Sequence, residues 1–416
     1  MKYTLLTLGC KVNRAEINTL ESDLIGEGHE IVPLSESPDV CIVNTCTVTS
    51  KSDYQSRQLI RRALRTGARV VATGCYSELH AEDIREGISP DINIIPNSNK
   101  LHNIRHIYDI SKSNTLFSSG ARNRAFIKIQ DGCNFRCSYC AIPSARGRSR
   151  SVIYKDIIDE INRASDSGLN EVVLTGIHIG LYGIDLKENY TLKGLIADIL
   201  GNTSIPRIRL SSLEINEIDE ELLGIIDNKR ICPHLHLPLQ SGKDDTLRRM
   251  GRHYKAIEFK EKMNIIRGRF PDISIGTDII AGFPGETDEE FSETLNFVRS
   301  LDLSYMHVFP YSKRAGTRAA ELPDHVDQSI KDLRAAELRT LSLEKSLNYR
   351  KRFIGSELDV IIENRLDDSK YSATSGNYIK INVLSDDLVP GELMHVTLTD
   401  ANENENTGIP PHIHNV

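Results

Sequence analysis

Apolar runs alternate with amphipathic segments from the first residues of the chain onward. Short β-branched runs, such as residues 3–8 and 40–43, predict strands, and helical spacing of apolar positions at 16–26 and 50–66 predicts helices between them. Strands that alternate with helices in this way form parallel sheets covered on both faces. The pattern therefore predicts a small, doubly wound α/β sheet for residues 1–112.

The alternation resumes after residue 120 with a second set of strands. Six further apolar runs, separated by helical stretches, lie at residues 126–130, 171–175, 207–211, 234–239, 273–281 and 306–310. Six units are too few for a closed eight-stranded barrel, so they predict an open, partial TIM barrel with active groups at the strand carboxyl ends. An amphipathic pattern at 326–352 predicts a linker helix that completes this domain, residues 121–352.

The final segment, residues 353–416, has a different pattern. Short β runs at 358–362, 378–383 and 394–398, with turns between them, predict a small OB-like β-barrel. From residue 402 onward the chain is expected to lack regular structure, and no metal-binding role is expected for His412 and His414.

Composition limits the setting in which such a chain works. Its 416 residues are 39% apolar and 26% charged, which is typical of soluble proteins, and no apolar run of about 18 residues could span a membrane. Eight cysteines without a secretory signal favour a cytoplasmic, reducing location and metal binding. The net charge of −7 predicts no general affinity for nucleic acid. Positive charge is nevertheless concentrated between residues 121 and 150. Asp131 is the acidic residue of this segment, and its basic residues are Arg122, Arg124, Lys128, Arg136, Arg146, Arg148 and Arg150.

Three cysteines with the spacing C-x3-C-x2-C follow the first strand of the central domain. Cys133, Cys137 and Cys140 must lie on one tight loop, which can bind three irons of a 4Fe-4S cluster and leave the fourth iron open. A zinc site is the alternative, but zinc requires four ligands, and no Cys or His occurs in the thirty residues after Cys140. The spacing therefore favours an iron–sulfur cluster.

Three other cysteines each follow a predicted strand of the N-terminal sheet. Cys10, Cys46 and Cys75 would lie at the same carboxyl edge, where open α/β sheets bind ligands. A buried structural role is the alternative for any one of them, but three at equivalent positions predict a second metal centre. Cys41 and Cys232 lack this context and are predicted to be core residues.

Two groups of arginines are candidate phosphate contacts. Arg57, Arg61 and Arg65 recur every four residues along one face of a predicted helix, either as solvated surface or as an anion site. Arg146, Arg148 and Arg150 follow the cysteine loop and could position a nucleic-acid substrate or pair with carboxylates.

The C-x3-C-x2-C run with Tyr139 before its last cysteine resembles the radical S-adenosylmethionine (SAM) enzymes. In that superfamily the amino acid end of SAM chelates the open iron, and reductive cleavage of SAM yields a 5′-deoxyadenosyl radical. The resemblance implies that the strand-end residues hold SAM, and it carries this role to Tyr139, Gly176, Ser212, Glu214 and Asp278.

Longer matches narrow the resemblance to the methylthiotransferases, a subgroup of radical SAM enzymes. They lie at residues 9–13, 44–46, 74–75, 130–133, 141–151, 236–242, 282–287 and 311–317. The resemblance implies that Cys10, Cys46 and Cys75 hold an auxiliary 4Fe-4S cluster at which sulfur for transfer is attached. It also implies two SAM molecules, tRNA as partner, a sulfur donor, and a reducing electron donor such as flavodoxin or ferredoxin.

The C-terminal segment resembles the RNA-binding TRAM domain of this family, with one departure. Residues 353–400 contain nine acidic side chains and three basic ones, so this domain alone is expected to bind RNA weakly. The arginine groups would then carry the phosphate contacts.

The run Cys10-Lys11-Val12-Asn13 resembles the branch that adds a methylthio group to C2 of N6-threonylcarbamoyladenosine at tRNA position 37, next to the anticodon. The expected function is that reaction. The alternatives are methylthiolation of isopentenyladenosine in tRNA or of a ribosomal-protein aspartate, and, in a different class, a non-catalytic iron–sulfur protein that binds RNA.

Overall fold

The structure is a computed structural model that describes residues 1–112, 123–187 and 190–411. Arg122, His412 and His414 lie outside the described residues. None of the helices within these ranges is long and apolar enough to cross a bilayer.

The N-terminal domain is a parallel sheet with helices on both faces. Its strands are β1 (Lys2–Thr7), β2 (Glu30–Ile31), β3 (Val40–Thr45), β4 (Arg69–Gly74) and β5 (Asn93–Ile94). Its helices are α1 (Lys11–Gly26), α2 (Ser50–Leu64), α3 (Cys75–Leu79), α4 (Ala81–Gly87) and α5 (Lys100–Tyr108). The strand order β2-β1-β3-β4-β5 confirms the doubly wound sheet and places its topological switch between β1 and β3.

The central domain has six parallel strands in chain order. These are β6 (Ala125–Lys128), β9 (Glu171–Thr175), β10 (Arg207–Leu210), β11 (His234–His236), β12 (Ser274–Ala281) and β13 (Tyr305–Pro310), and the short pair β7 (Gln130–Asp131) and β8 (Arg150–Ser151) flanks the cysteine loop. The helices are α6 (Ile142–Arg146), α7 (Tyr154–Asp166), α8 (Leu192–Asn202), α9 (Glu220–Ile226), α10 (Asp244–Met250), α11 (Ala256–Arg269), α12 (Asp288–Ser300) and α13 (Gln328–Lys351).

Two three-stranded halves make up this sheet, β6-β9-β10 and β11-β12-β13. The backbone of Ile208 joins them, because its N–H donates to Arg230 O at 2.7 Å and its carbonyl accepts from Cys232 N–H at 2.8 Å. The helices cover the outside and enclose one continuous apolar core. The open, partial barrel predicted from six apolar runs is confirmed.

The C-terminal domain is a closed five-stranded barrel, which confirms the predicted fold class. Its strands are β14 (Glu357–Asp367), β15 (Lys370–Ser375), β16 (Lys380–Leu384), β17 (Leu393–Ala401) and β18 (Asn406–Ile409). The expectation that residues from 402 onward lack structure is wrong for β18, which closes the barrel between β16 and β17. Tyr349 near the end of α13 and Phe353 just after it pack into the barrel core.

A buried ion pair fastens this barrel to the central sheet. Glu171 of β9 is fully buried and lies 2.8 Å from both Arg207 and Arg209 of β10. Arg209 also donates to the carbonyl oxygens of Gly376 at 2.8 Å and Ser375 at 3.1 Å. Although burial alone would raise the pKa of Glu171, the charges of Arg209 and Arg207 lower it to about 2.

The N-terminal domain touches both edges of the open barrel. Helix α1 packs against β6, the first barrel strand. Beyond β13, the last barrel strand, Arg314 forms an ion pair with Asp53 of α2 at 2.6 Å, and Ser312 accepts a hydrogen bond from the Ser50 N–H at 3.0 Å.

Candidate active site

The three N-terminal thiols meet at the carboxyl edge of β1, β3 and β4. Thr45 pairs with Gly74 in register, so Cys46 and Cys75 leave adjacent strands side by side. Cys10 is the N-cap of α1, which begins directly after β1. This is the switch point of the sheet, the position at which open α/β folds bind their ligands.

Glycines let these loops approach closely. Gly9 has φ +95°, and a Cβ there would lie 2.6 Å from Cys46 Sγ. Gly74 has φ +93°, and a Cβ there would lie 2.3 Å from the Thr45 carbonyl oxygen. Both positions require glycine, because the Cys46 side chain occupies the space beside Gly9 and the Thr45 backbone occupies the space beside Gly74.

Burial holds the Cys46 and Cys75 thiols in the protonated form. It raises the pKa of Cys46 to about 11, and the charges of Cys10 and Cys75 add to the effect. Burial also raises the pKa of Cys75. Three converging thiols that lose their protons on metal binding suit the thiolate ligand set of an iron–sulfur cluster.

The cysteine loop of the central domain is fixed by the backbone around it. Gly132 (φ +71°) starts the loop where a Cβ would meet the Arg148 carbonyl oxygen at 2.1 Å. Cys133 N–H then donates to Gly147 O at 3.0 Å. Farther along, Ser138 N–H donates to Met250 O at 2.8 Å.

The thiols of this loop have polar neighbours. Arg252 Nη1 lies 3.5 Å from Cys137 Sγ, and His178 Nδ1 lies 3.7 Å from Cys133 Sγ. Burial, together with the charges of nearby thiols that include Cys75 of the other group, raises the pKa of Cys140 to about 12. The two cysteine groups are therefore electrostatic neighbours. Cys41 and Cys232 are buried elsewhere, as predicted.

Arg146 connects the two groups, and its predicted phosphate contact needs correction. The side chain is fully buried, and its Nε donates to Cys75 Sγ at 3.2 Å. Its two terminal nitrogens donate to Glu16 at 3.1 Å, Asp131 at 2.8 Å and Asn13 at 2.5 Å. The carboxylate alternative is the one found here, because no face of the guanidinium is open to a substrate.

The other predicted phosphate contacts differ in exposure. Arg61, Arg65 and Arg148 are exposed, whereas Arg57 is half-buried and donates to Tyr76 Oη at 3.2 Å. Arg150 is half-exposed and donates to the carbonyl oxygen of Arg146 at 2.9 Å. Arg61, Arg65 and Arg148 are therefore the members of these groups best placed to meet a phosphate.

A cavity of about 540 Å³ lies between the N-terminal sheet edge and the strand ends of the central domain. Cys10 and Cys46 line it on one side. Gly176, Ser212 and Asp278, three of the residues predicted to hold SAM, line it on the other. The fold therefore brings one cysteine group and the barrel strand ends to a common space.

The two remaining predicted SAM residues lie near the cysteine loop. Tyr139 lines a smaller cavity of about 210 Å³ that shares Asp278 with the larger one. Glu214 pairs with Arg252, the same guanidinium that reaches Cys137. Cys133 itself lines a separate groove with Arg136 and Arg148.

Several cavity residues were not singled out from the sequence. The Asp278 carboxylate lies 3.0 Å from His236 and 3.3 Å from His307. Burial alone would raise the pKa of Asp278, but these two contacts lower it. The Tyr305 hydroxyl forms hydrogen bonds with the His234 ring at 2.8 Å and the His236 ring at 3.2 Å. One signal in the sequence could have identified these residues: His234 and His236 alternate along a strand that ends at the site.

Aromatic rings form one wall of the larger cavity. Tyr305, Phe309 and Tyr378 line it, and the Tyr305 and Tyr378 ring centroids lie 6.2 Å apart. Tyr378 comes from the C-terminal barrel and lies under the Arg209 guanidinium, 5.0 Å from it. All three domains therefore contribute to this cavity.

Comparison with known proteins agrees with this architecture. Residues 127–298 match the radical SAM superfamily, and residues 2–95 match uncharacterized protein family UPF0004. The chain is 34% identical to threonylcarbamoyladenosine tRNA methylthiotransferase MtaB of Bacillus subtilis (strain 168), over 97% of this chain and 94% of that protein. The chain belongs to the radical SAM methylthiotransferase family. The MtaB protein of Aquifex aeolicus (strain VF5) is 36% identical over 88% of this chain and 94% of its own length.

Other relatives carry different substrate names. One is tRNA-2-methylthio-N(6)-dimethylallyladenosine synthase of Thermoanaerobacter pseudethanolicus, 30% identical over 96% of this chain and 90% of that protein. Another is ribosomal protein uS12 methylthiotransferase RimO of Desulfotalea psychrophila, 29% identical over 98% and 99%. Among solved structures, radical SAM methyltransferase TsrM from Kitasatospora setae has the same fold, with TM-score 0.57, 16% identity and 77% of each chain covered.

Membership of the family confirms an enzyme that uses SAM and 4Fe-4S clusters. The thiols fit this ligand chemistry, since each group offers three converging cysteines, and the nearest side chains are hydrogen-bond donors such as Arg146 and Arg252.

Proposed function

We propose that this methylthiotransferase acts on tRNA and adds a methylthio group to C2 of N6-threonylcarbamoyladenosine at position 37, next to the anticodon. The observation that carries the proposal is the common cavity, which Cys10 and Cys46 line from one side and barrel strand ends from the other. The names of the relatives that match over most of the chain support this substrate.

Two 4Fe-4S clusters and two SAM molecules are part of the proposal. Cys133, Cys137 and Cys140 would hold one cluster, and Cys10, Cys46 and Cys75 the other. When bound, these groups supply a 5′-deoxyadenosyl radical from SAM and a sulfur atom for transfer. A reducing electron donor such as flavodoxin or ferredoxin and a separate sulfur donor complete the requirements.

The chain's own residues would bind and orient the reactants. Gly176 would border bound SAM at the cavity wall, and the Ser212 hydroxyl and the Asp278 carboxylate offer hydrogen bonds to the polar groups of SAM. The Tyr305 and Tyr378 rings offer surfaces on which an adenine base can stack. Closure of the cavity by three domains would keep water from a radical at the reacting carbon.

Phosphate contacts would come from outside the C-terminal barrel. Arg61, Arg65 and Arg148 are exposed, and they are the cationic groups proposed to meet the tRNA backbone. They would compensate for the acidic composition of residues 353–400.

Nucleoside mass spectrometry of tRNA from a strain lacking the gene tests this proposal. The expected result is loss of 2-methylthio-N6-threonylcarbamoyladenosine and accumulation of the nucleoside without the methylthio group. An unchanged nucleoside profile would refute the substrate assignment, and loss of methylthio-isopentenyladenosine instead would support the dimethylallyl alternative.

The non-catalytic alternative is tested separately with purified protein. Anaerobically reconstituted enzyme with dithionite should release 5′-deoxyadenosine from SAM. A protein that binds iron and RNA but never cleaves SAM would support a non-catalytic iron–sulfur protein.

A further inference from the structure

Lys11 stands beside the proposed auxiliary cluster ligands without a partner of its own. It follows Cys10 as the first residue of α1, and its partly buried side chain lines the 540 Å³ cavity. Within residues 1–112, 123–187 and 190–411, its ammonium makes no hydrogen bond or ion pair. A partly buried ammonium that faces a cavity without a counter-ion is a site for an anion.

The carboxylates around Lys11 are already engaged. The charges that act on Lys11 are those of Arg209, Arg124 and Glu171, and the Glu171 oxygens lie 2.8 Å from both Arg207 and Arg209. Asp278, on the opposite cavity wall, is held by His236 and His307. Neither carboxylate neutralises the ammonium, so the positive charge at this end of the cavity remains available to a ligand.

A second polar group that lines this cavity, on the side formed by the barrel strands, is also unpartnered among the described residues. Ser211 lines the cavity and is only 6% exposed, and its hydroxyl has no hydrogen-bond partner among the described residues. Thr175 and Ser212 line the same wall. An ammonium and a buried hydroxyl can together bind the two oxygens of a carboxylate.

We propose that Lys11 and the Ser211 hydroxyl bind the carboxylate of an amino acid attached to N6 of the target adenine. This inference rests on the proposed function and adds the residues that read the N6 substituent. Threonylcarbamoyladenosine carries such a carboxylate, whereas a dimethylallyl group is a neutral hydrocarbon. A hydrocarbon substituent would desolvate the ammonium and give it no partner, so Lys11 selects against it.

The decisive experiment compares two anticodon stem-loop RNAs that differ at one group. One carries threonylcarbamoyladenosine, and the other carries its carboxylate methyl ester. Wild-type reconstituted enzyme should show a KM for methylthiolation about 10- to 100-fold lower for the acid than for the ester, since a charge-assisted hydrogen bond contributes this much. The Kd of each RNA, measured by fluorescence anisotropy, should differ in the same direction.

Variants then assign this discrimination to Lys11. Lys11→Met should abolish the difference between acid and ester, and Lys11→Arg should keep part of it because the charge remains. Lys155→Met, at an exposed lysine on α7, is the matched control and should discriminate as the wild type does. Iron content and SAM cleavage without RNA establish that each variant is folded and holds its clusters.

Each outcome decides one question. Wild-type enzyme that thiolates the acid and the ester equally well overturns the inference and leaves the proposed function intact. The same holds if Lys11→Met still discriminates between them. Wild-type enzyme that thiolates neither RNA overturns the proposed function itself. If Lys11→Met fails to retain its clusters, the wild-type KM and Kd ratios of ester to acid still decide whether the enzyme recognises the carboxylate. Ser211→Ala should lower these ratios, and it tests whether the Ser211 hydroxyl takes part in that recognition.

Discussion

Arg146 Nε donates to Cys75 Sγ at 3.2 Å, so a residue of the central domain holds a cysteine of the N-terminal domain. The same side chain neutralises Glu16 and Asp131, both buried. We expect Arg146→Gln to leave these carboxylates with Lys100 and Lys128 as their remaining cations and to lower the free energy of unfolding by about 1.5–3 kcal/mol, because charge-assisted hydrogen bonds are lost. Thermal unfolding and iron content per chain measure this loss.

Arg148→Gln is the matched control for that prediction, because Arg148 is exposed two residues away. It should change the unfolding free energy by less than about 0.5 kcal/mol and should retain all iron. Equal stability of the two variants would contradict the structural role of Arg146.

Loss of one N-terminal thiol should separate the two halves of the reaction. Cys10→Ala should still cleave SAM, because Cys133, Cys137 and Cys140 are untouched, but it should no longer transfer sulfur. Iron content should fall from about eight to about four per chain. Release of 5′-deoxyadenosine and formation of the methylthio product are measured in the same reaction.

Cys41→Ala is the control here, since Cys41 is buried in the N-terminal core, near Thr66. It should keep both activities and the full iron content. If Cys10→Ala loses SAM cleavage as well while it stays folded with the iron bound at Cys133, Cys137 and Cys140, separate roles for the two cysteine groups are ruled out.

Exposed arginines of α2 should contribute to tRNA affinity. Arg61→Gln combined with Arg65→Gln should weaken binding and reduce the slope of log K against log salt by about 0.7–0.9 for each phosphate that the variant no longer neutralises. Filter binding at several salt concentrations measures the slope. Arg85→Gln, at an exposed arginine on the separate helix α4, should leave it nearly unchanged, and an equal effect would argue for general attraction over a defined phosphate site.

The buried pair at the base of the C-terminal barrel should make stability depend on pH. The pKa of Glu171 is about 2 in the folded chain and near 4.5 when unfolded, so the carboxylate stabilises the fold fully above about pH 4.5. This contribution, about 3 kcal/mol, is lost as pH falls from 4.5 toward 2. Glu171→Gln should therefore be less stable than wild type at neutral pH, and the difference should shrink in acid.

Thermal unfolding of cluster-free protein between pH 3 and 7 tests this dependence. Glu261→Gln, at an exposed position on α11, is expected to follow the wild-type curve. A constant gap between wild type and Glu171→Gln at every pH would show that Glu171 does not titrate with a depressed pKa.

The barrel strands could be predicted from the sequence because buried parallel strands are apolar on both faces. Residues 171–175 and 274–281 are almost entirely buried, and their apolar, β-branched residues were visible in the sequence. Strand β18 could not be found this way. Asn406–Ile409 lies in a polar stretch, and it becomes a strand only because β16 and β17 offer unpaired backbone on either side.

Sequence reasoning could find the site residues whose pattern lies within one chain segment. It missed those that depend on contacts between distant segments. The cysteines could be singled out by their spacing and by their position after predicted strands. Arg146, Arg148 and Arg150 look alike in the sequence, yet Arg146 points inward and Arg148 outward, because only the tertiary fold supplies Glu16 and Asn13 as partners. The pairing of Asp278 with His236 and His307 joins three strands and leaves no local pattern.

The N-terminal domain reaches β6 at one edge of the open barrel and Arg314 at the other. A partial barrel leaves a lateral gap through which solvent and oxygen could enter. A domain that adds no strand to that barrel contacts both of its edges, so the containment of a radical reaction depends on these domain contacts. We expect that loosening either contact first increases side reactions of the radical with solvent or oxygen, and that the protein unfolds only at a later stage.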